Sequence, residues 1–381
     1  MIDEKFLWKS HIQYVVNKSK EISHKIAAAA RLTWGFRGAA LAKIYEGAVQ
    51  SAMLYGAPIW AEGCKVKECR SLLSAQRILT VKAATAYRTV PSEAAFVLSK
   101  ILPFDILLQE TAKRYRLFTG HPSNNDLDGL QLQDRQLERR VSLADTVHPA
   151  DMDNFRFTEG VQDAYNTVIY TDGSRLDDGR AGGSFILFNG DAEIHRDNFT
   201  LAEHSTIFQC EMIALRQALT HLRGHSDIIK ECSIVTDSQS VLTALRNMRQ
   251  PTTLQLETWE LAVNLAREIS LRFHWTPSHS GNAKNDAADQ LAKAAATDQA
   301  TAPIYNLAPR TLVKRRLRNL FLEAWKERWR TATKGRTTAS FLPDPCSARS
   351  VTPTCTRRRF ALAVAVAAPW ERSGDQDAAE D

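Results

Sequence analysis

Four acidic residues have the types and positions that a phosphodiester-cleaving metal site would need. Each lies beside a sequence that predicts a strand end or a helix: Asp172 after VIYT, Glu211 within FQCEMIAL, Asp237 after SIVT, and Asp289 within NDAADQLAK. Carboxylate oxygens are the ligands that Mg²⁺, a hard cation, prefers. Two such ions about 3.5–4 Å apart can activate a water and stabilise the leaving oxygen of a cleaved strand. The pattern predicts metal-assisted hydrolysis.

Taken singly, these residues have ordinary structural explanations. Asp172 precedes Gly173, and Asp-Gly pairs are common turn formers. Asp237 can cap the helix after it, and a Glu early in a helix, such as Glu211, is favoured by the helix dipole. His279 lies in a loop bounded by Pro and Gly, where an exposed imidazole can act as acid or base near neutral pH. The joint occurrence in this order favours a catalytic site.

The elements that must position these residues are predicted from the same window. NTVIYT, GGSFILF and AEIHRDNFTL predict three strands. A helix from Thr206 to Leu222 and the strand SIVTD follow, then helices Ser238–Met248 and Leu254–Ile269, the strand LRFHW, and a helix Asn285–Ala296. A meander of the first three strands and parallel pairing through helical crossovers predict an α/β fold with a five-stranded mixed sheet flanked by helices.

On these motifs, residues 164–298 resemble the ribonuclease H domain. The resemblance implies hydrolysis of the RNA strand of RNA–DNA hybrids with two Mg²⁺ ions, for which Mn²⁺ is an alternative. It implies that Asp172 bridges both ions, and that Glu211 and Asp237 complete one metal site. Asp289 would complete the second site, and His279 would assist proton transfer or product release.

The resemblance also implies which residues contact the hybrid. Gln239, in the TDSQ sequence, would lie in the minor groove and help to recognise the 2′-hydroxyl groups that distinguish RNA. Ser238 lies beside it. Gly173, followed by Ser174, would let the backbone approach the metal and the phosphate closely. We therefore predict nucleic-acid contacts at these four positions.

Residues 1–120 predict an all-α region, because apolar residues recur at helical spacing in LAKIYEGAVQSAM. The phrases FLWKSHI, LTWGFRGAALAKIYEGAVQSAMLYGAPIW and QRILTVKAATAYRTVPSEAAFVL resemble the region after the polymerase palm of non-LTR retrotransposons. There such helices form a thumb or connection that contacts the template–primer. No YxDD-type motif is present, so we infer no polymerase activity and expect a truncated element, with the polymerase portion of the parent element as a candidate partner.

Three further segments complete the predicted organisation. Residues 121–163 are polar and predict a linker. Residues 303–340 predict a basic amphipathic helix, for which docking on a neighbouring helix and contact with nucleic acid carry equal weight. Residues 341–381 end in an acidic, Ala-rich tail that predicts disorder.

Composition limits the remaining function classes. The 381 residues carry a formal charge of +6, which permits a polyanionic partner. Six scattered cysteines do not suggest a disulfide framework and favour a reducing compartment. No apolar run approaches the roughly 18 residues that span a membrane, so we expect no membrane association. Two alternatives remain open: a catalytically inert nucleic-acid-binding transposon remnant, and a strand transferase on the same fold, although the latter would place its Glu on a later helix.

Overall fold

The chain divides into two compact units: residues 1–130 with 315–381, and residues 131–314. The computed structural model describes residues 8–30, 38–119, 127–130, 132, 137–142, 155–278, 281–298 and 300–346.

The first unit is helical in its described residues, as the sequence predicts. Its helices are α1 (Lys9–Ala29), α2 (Gly38–Ile44), a π-helical turn (Tyr45–Gln50), α3 (Ser51–Met53), α4 (Ala57–Trp60), a 3₁₀ turn (Ala61–Gly63), α5 (Val66–Ala83), α6 (Ser92–Ser99) and α7 (Phe104–Thr119). Two later helices follow in the chain, α12 (Arg310–Thr331) and α13 (Arg336–Phe341).

The late helix α12 supplies core residues to the first unit. Trp325 and Trp329 are buried in one cluster with Phe96 and Val97 of α6. The indole Nε1 of Trp329 donates to the backbone oxygen of Leu342 at 2.8 Å. Large aromatic side chains contribute much of the burial that stabilises a small core, so this part of the chain is integral to the helical unit.

Some of the basic residues of α12 form ion pairs within the first unit. Arg328 donates to Glu93 at 2.5 Å and to Asp105 at 2.7 Å, and all three side chains are largely buried. Arg318 pairs with the buried Glu110 at 2.6 Å. These contacts support docking for this face of the helix. Contact with nucleic acid stays a prediction for exposed cations of the predicted segment 303–340: Lys314 and Arg315 of α12, and Lys334 and Arg336 after it.

The second unit is built on a mixed sheet. Its strands are β1 (Thr158–Glu159), β2 (Thr167–Arg175), β3 (Ala181–Asn189), β4 (Ala192–Leu201), β5 (Glu231–Thr236) and β6 (Ser270–Trp275). They lie in the order β1-β6-β5-β2-β3-β4, with β2–β3–β4 antiparallel and β2–β5–β6–β1 parallel. This is the ribonuclease H-like sheet that the sequence predicts, with one strand more than the five expected.

The register of this sheet determines the positions of two predicted site residues, Asp172 and Asp237. Thr171 of β2 is aligned with Thr236 of β5 in a parallel pair. Parallel strands bring their carboxyl ends to the same edge of a sheet. Asp172 and Asp237 each come one residue later, so the backbone alone places them side by side.

Helices cover both faces of the sheet in this unit. They are α8 (Ile207–Gly224), α9 (Gln239–Arg246), α10 (Thr253–Leu265) and α11 (Ala283–Thr297). A capping box at Thr206 and Gln209 begins α8, and Thr252 and Gln255 form a second one at α10. Both motifs satisfy backbone N–H groups that a helix start leaves without partners, so the start of each helix is sharply defined.

Parts of the predicted linker (121–163) and of the predicted tail (341–381) are packed against the folded units. Within 121–163, the described residues 137–142 and 155–163 belong to the second unit: Leu137 bridges Ala308, and β1 pairs with β6. Phe155 packs against Phe273, with the rings tilted by 45° and their centroids 4.6 Å apart. Of the predicted tail, residues 341–346 are described and pack on the first unit through Leu342 and Cys346. Residues 347–381 lie outside the described residues.

In the part of the chain that the structure describes, no helix is both long enough and apolar enough to span a membrane.

Gly182 sets the distance between β3 and the helix that carries Asp289. A Cβ at Gly182 would lie 2.5 Å from the backbone N of Ala296 and 2.8 Å from the carbonyl carbon of Ala295. Because backbone atoms cannot move aside, we expect Gly182→Ala to lower the free energy of unfolding by about 1–3 kcal/mol, as overpacking does. Urea unfolding measures this. Gly224→Ala is the control, since a Cβ there meets nothing within 4 Å; equal effects of the two substitutions would contradict this packing.

Candidate metal centre

Three carboxylates converge at the carboxyl edge of the sheet. Asp172 lies within the buried part of β2, which continues to Arg175, beyond the strand end that the sequence predicts. Asp237 follows β5, and Glu211 lies in the second turn of α8. One oxygen from each lies within 4.8 Å of one from each of the others. Asp172 and Glu211 are buried, at 5% and 9% exposure. The arrangement therefore concentrates negative charge in a site that little water reaches.

Gly173 allows the helix to come this close to the strand. A Cβ at this position would lie 2.6 Å from the carbonyl carbon of Cys210 and would also collide with the backbone N of Glu211. No side chain larger than hydrogen fits, so the identity of this residue determines how near Glu211 lies to Asp172. The structural reason for glycine here is helix-to-strand packing.

The electrostatics of the cluster follow from burial and mutual repulsion. Burial, then the charges of Asp237 and Asp289, raise the pKa of Asp172 to about 8, while the backbone N–H of Gly173 opposes the shift. Burial, then the charges of Asp172 and Asp237, raise the pKa of Glu211 well above its usual value. Perturbed carboxylates of this kind are characteristic of functional sites.

Two residues that the sequence analysis did not single out hold Asp237. The Ser278 hydroxyl donates to its Oδ2 at 2.7 Å, and the indole Nε1 of Trp275 donates to its backbone oxygen at 3.0 Å. Both lie in the HWTPSHSG sequence next to His279, which was the available signal. His279 itself lies outside the described residues.

Asp289 lies near the cluster but outside the closest group. It is on α11, and its charge contributes to the raised pKa of both Asp172 and Glu211. Its Oδ2 accepts from the Nζ of Lys293 at 2.6 Å, one helical turn later. Lys293 opposes the upward pKa shift of Asp172, so this cation partly offsets the negative charge of the cluster.

The residues predicted to contact nucleic acid fall into two groups. Gly173 and Ser174 are buried within β2, whereas Ser238 is half-buried and Gln239 is exposed at the start of α9. Gln239 also opens a surface cleft of about 620 Å³. The cleft is lined by Arg140, Gln239, Ser240, Thr243, Ala244, Asn247, Gln250, Thr252 and Gln255. Among the described residues that line it, Arg140 is charged and none is acidic.

The donor set of the cluster fits a hard divalent cation. Glu211 Oε2 is buried and has no hydrogen-bond partner among the described residues. A buried carboxylate oxygen without a partner is costly, and coordination to a cation would both satisfy it and remove the repulsion between the three acids. Oxygen ligands alone match the preference of Mg²⁺. Asp172, Glu211 and Asp237 could therefore hold such an ion.

Comparison with known proteins gives the same domain. Residues 164–297 match the family described as RNase H. The chain is 30% identical over 122 residues to the putative 115 kDa protein in type-1 retrotransposable element R1DM of Drosophila melanogaster. That alignment covers 32% of this chain and 12% of the Drosophila protein, so the chain spans a small part of this relative. It is 27% identical over 150 residues to ribonuclease H of Pelobacter propionicus, covering 35% of this chain and 87% of that protein.

Solved structures with similarity cover about the same third of the chain. RNase H1 from the halophilic archaeon Halobacterium salinarum is 23% identical, with a TM-score of 0.28, over 34% of this chain and 96% of that chain. The foamy viral protease–reverse transcriptase in complex with RNA/DNA hybrid is 20% identical, with a TM-score of 0.30, over 35% of this chain and 20% of that chain.

The raised pKa of Asp172 predicts a pH-dependent stability of the metal-free protein. Between the ordinary carboxyl pKa of 3.8 and about 8, the folded state holds a proton that the unfolded state has lost. Stability is therefore greatest below this window and falls as pH rises through it, by up to about 1.4 kcal/mol per pH unit. We expect Asp172→Asn to flatten this decline and to raise stability at pH 8.

Urea unfolding in EDTA at pH 5, 6.5 and 8 measures the effect. Asp177→Asn, which removes an exposed carboxylate in the turn after the same strand, is the matched control and should retain the wild-type slope. If the free energy of unfolding had the same pH dependence in wild type and Asp172→Asn, the raised pKa of Asp172 would be contradicted.

Proposed function

Because residues 164–297 form a ribonuclease H domain, we propose that this protein hydrolyses the RNA strand of RNA–DNA hybrids by metal-assisted catalysis, within a retrotransposon-derived protein. The observation that carries the proposal is the cluster of Asp172, Glu211 and Asp237, whose oxygens lie within 4.8 Å of one another. In support of the proposal, Asp172 and Asp237 each come directly after the parallel-paired part of a strand, Val168–Thr171 and Ser233–Thr236.

The carboxylates have distinct roles in this proposal. Two Mg²⁺ ions, or Mn²⁺, would supply an activated water and stabilise the leaving 3′ oxygen. Asp172, whose pKa is raised by the charges of both Asp237 and Asp289, would serve both ions. Glu211 and Asp237 would complete one site, and Asp289 would complete the other after releasing Lys293. Ser278 and Trp275 orient Asp237, which limits the conformations that the carboxylate must search.

The raised pKa values make metal binding by the cluster depend on pH. A proton on Asp172 or Glu211 must leave before the carboxylate can bind a cation, so metal affinity rises with pH. Since the pKa of Asp172 is about 8, protons and Mg²⁺ compete in the neutral range. This competition favours activity at neutral to alkaline pH over activity in acid.

Substrate binding in this proposal extends from the acidic cluster into the polar cleft. Gln239 would contact the 2′-hydroxyl side of the hybrid, and the hydroxyl and amide groups of the cleft suit a sugar–phosphate backbone. Burial and then the Arg140 charge lower the pKa of Arg310, which indicates two neighbouring cations. A phosphate near Arg140 would relieve that repulsion.

The decisive experiment is cleavage of a labelled RNA strand in an RNA–DNA hybrid, with Mg²⁺ or EDTA, beside duplex RNA and duplex DNA. We expect metal-dependent cleavage of the hybrid alone. Asp172→Asn should lower the rate by at least about 100-fold, because even a partner outside the ligand set contributes about 10–100-fold, and should leave hybrid binding intact.

Each other outcome of this experiment has a definite meaning. Full activity of Asp172→Asn would refute the site. Binding of the hybrid by folded wild-type protein without cleavage would support the inert nucleic-acid-binding alternative.

The cleft gives a separate prediction for affinity. Arg140→Ala should raise KM for the hybrid several-fold with kcat unchanged, and should reduce the slope of log K against log salt by about one, as expected for one lost phosphate contact. Arg223→Ala is the matched control, because it removes an exposed cation at the opposite end of α8 from Glu211. An equal loss of affinity in both variants would indicate a general charge effect.

A further inference from the structure

We propose that the catalytic unit extends beyond residues 164–297, and that Glu138, in the segment before the domain, is a positioning residue for the metal ligand Glu211. The inference rests on the proposed function and adds to it a residue outside the range 164–297 that matches the RNase H family. It follows from a network of buried side chains behind the start of α8. That network joins two flanking segments, 137–142 and 300–308, to the helix that carries Glu211.

Glu138 is a buried carboxylate surrounded by donors from three other parts of the second unit. It is 6% exposed, and the hydroxyl of Tyr305 donates to its Oε1 at 3.2 Å. Burial raises its pKa, and hydrogen bonds from Gln209, Tyr305 and Thr252 oppose that shift. A buried carboxylate is costly unless its oxygens are hydrogen-bonded, so these donors and Glu138 depend on one another.

Gln209 is the link between this network and the site. It is 1% exposed, is the third residue of α8, and completes the capping box: its Oε1 accepts from the backbone N–H of Thr206 at 3.0 Å. Its Nε2 donates to the backbone oxygen of Leu307 at 3.3 Å. Glu211 comes two residues later. The side chain of Gln209 therefore ties the first turn of this helix to the following segment, and its interaction with Glu138 links it to the preceding one.

Backbone hydrogen bonds hold the flanking segments against the domain. The N–H of Glu138 donates to the oxygen of Ala308 at 3.0 Å, and the N–H of Ala202 donates to the oxygen of Tyr305 at 3.0 Å. The N–H of Thr253 donates to the oxygen of Arg139 at 3.1 Å. These contacts fix the preceding and following segments to each other, to the end of β4 and to the start of α10.

The carboxylate of Glu211 depends on the placement of its helix. Its Oε2 has no hydrogen-bond partner among the described residues, so its position depends on where the first turns of α8 lie. On one side, close packing against Gly173 sets that position. On the other side, the Glu138 network does. Ligand geometry is sensitive to such supporting contacts, whose loss typically costs about 10–100-fold in metal affinity or activity.

The test is direct metal binding by the full chain carrying Glu138→Gln. Mn²⁺ binding is measured by electron paramagnetic resonance, which does not require turnover, and the Mg²⁺ half-saturation of cleavage is measured beside it. We expect affinity for the metal to fall about tenfold, because the amide presents donors to groups that already donate. KM for the hybrid should stay near the wild-type value, and Glu138→Asp, which keeps the acceptors, should restore part of the affinity.

Two further variants separate positioning from stability alone. Glu257→Gln removes the ion pair between Glu257 of α10 and Arg216 of α8, whose atoms lie 2.8 Å apart. This variant should leave metal affinity unchanged. Tyr305→Phe removes one donor and keeps the packing, so it should weaken Mn²⁺ binding in the same direction if Glu138→Gln fails to fold. Wild-type Mn²⁺ affinity in Tyr305→Phe and in any folded Glu138 variant, with only the melting temperature lowered, would overturn the inference.

The inference and the proposed function can fail separately. If wild-type protein binds Mn²⁺ but does not cleave hybrid, the proposed function fails while the Mn²⁺ measurements still decide the role of Glu138. If wild-type protein cleaves hybrid and the Glu138 variants bind metal normally, the positioning role fails and the ribonuclease stands.

Discussion

Mutual repulsion between buried carboxylates is the constraint on which the second unit depends. Asp172, Glu211 and Asp237 would separate if their backbones could relax, since like charges in a poorly hydrated site repel strongly. Here the register of β2 and β5 fixes the two Asp residues, and close packing at Gly173 fixes the helix. The fold therefore maintains a charge arrangement that is unfavourable by itself and becomes favourable when a cation is bound.

The supporting structure is asymmetric about this cluster. Asp237 is held directly, through its own oxygens, by Ser278 and Trp275. Glu211 is held indirectly, through the backbone of α8, and its Oε2 has no hydrogen-bond partner in the part of the chain that the structure describes. Asp289 is balanced by Lys293 rather than fixed by the core. These differences imply that the four carboxylates differ in rigidity, with the helix-borne acids Glu211 and Asp289 depending most on their surroundings.

Local sequence was sufficient to predict the centre of the site but not its surroundings. Asp172 and Asp237 could be predicted because each directly follows a short apolar run, and the two runs form the parallel pair of β2 and β5. The role of Gly173 in packing could not be predicted, because it depends on how a helix lies over a strand. The Glu138–Tyr305 contact joins residues 167 positions apart, and β1 is two residues long without alternation. Neither leaves a local pattern.

The discontinuous first unit has a consequence for folding during synthesis. Its cluster of Phe96, Val97, Trp325 and Trp329 cannot close until the ribosome has translated α12. Residues 131–314 are complete earlier and can fold as a unit, since domains commonly fold as they emerge. The first unit is therefore completed after the second, although its first residues are translated before it. The cluster of residues 12–108 can close early, whereas the apolar side chains of α6 wait for a segment more than two hundred positions later.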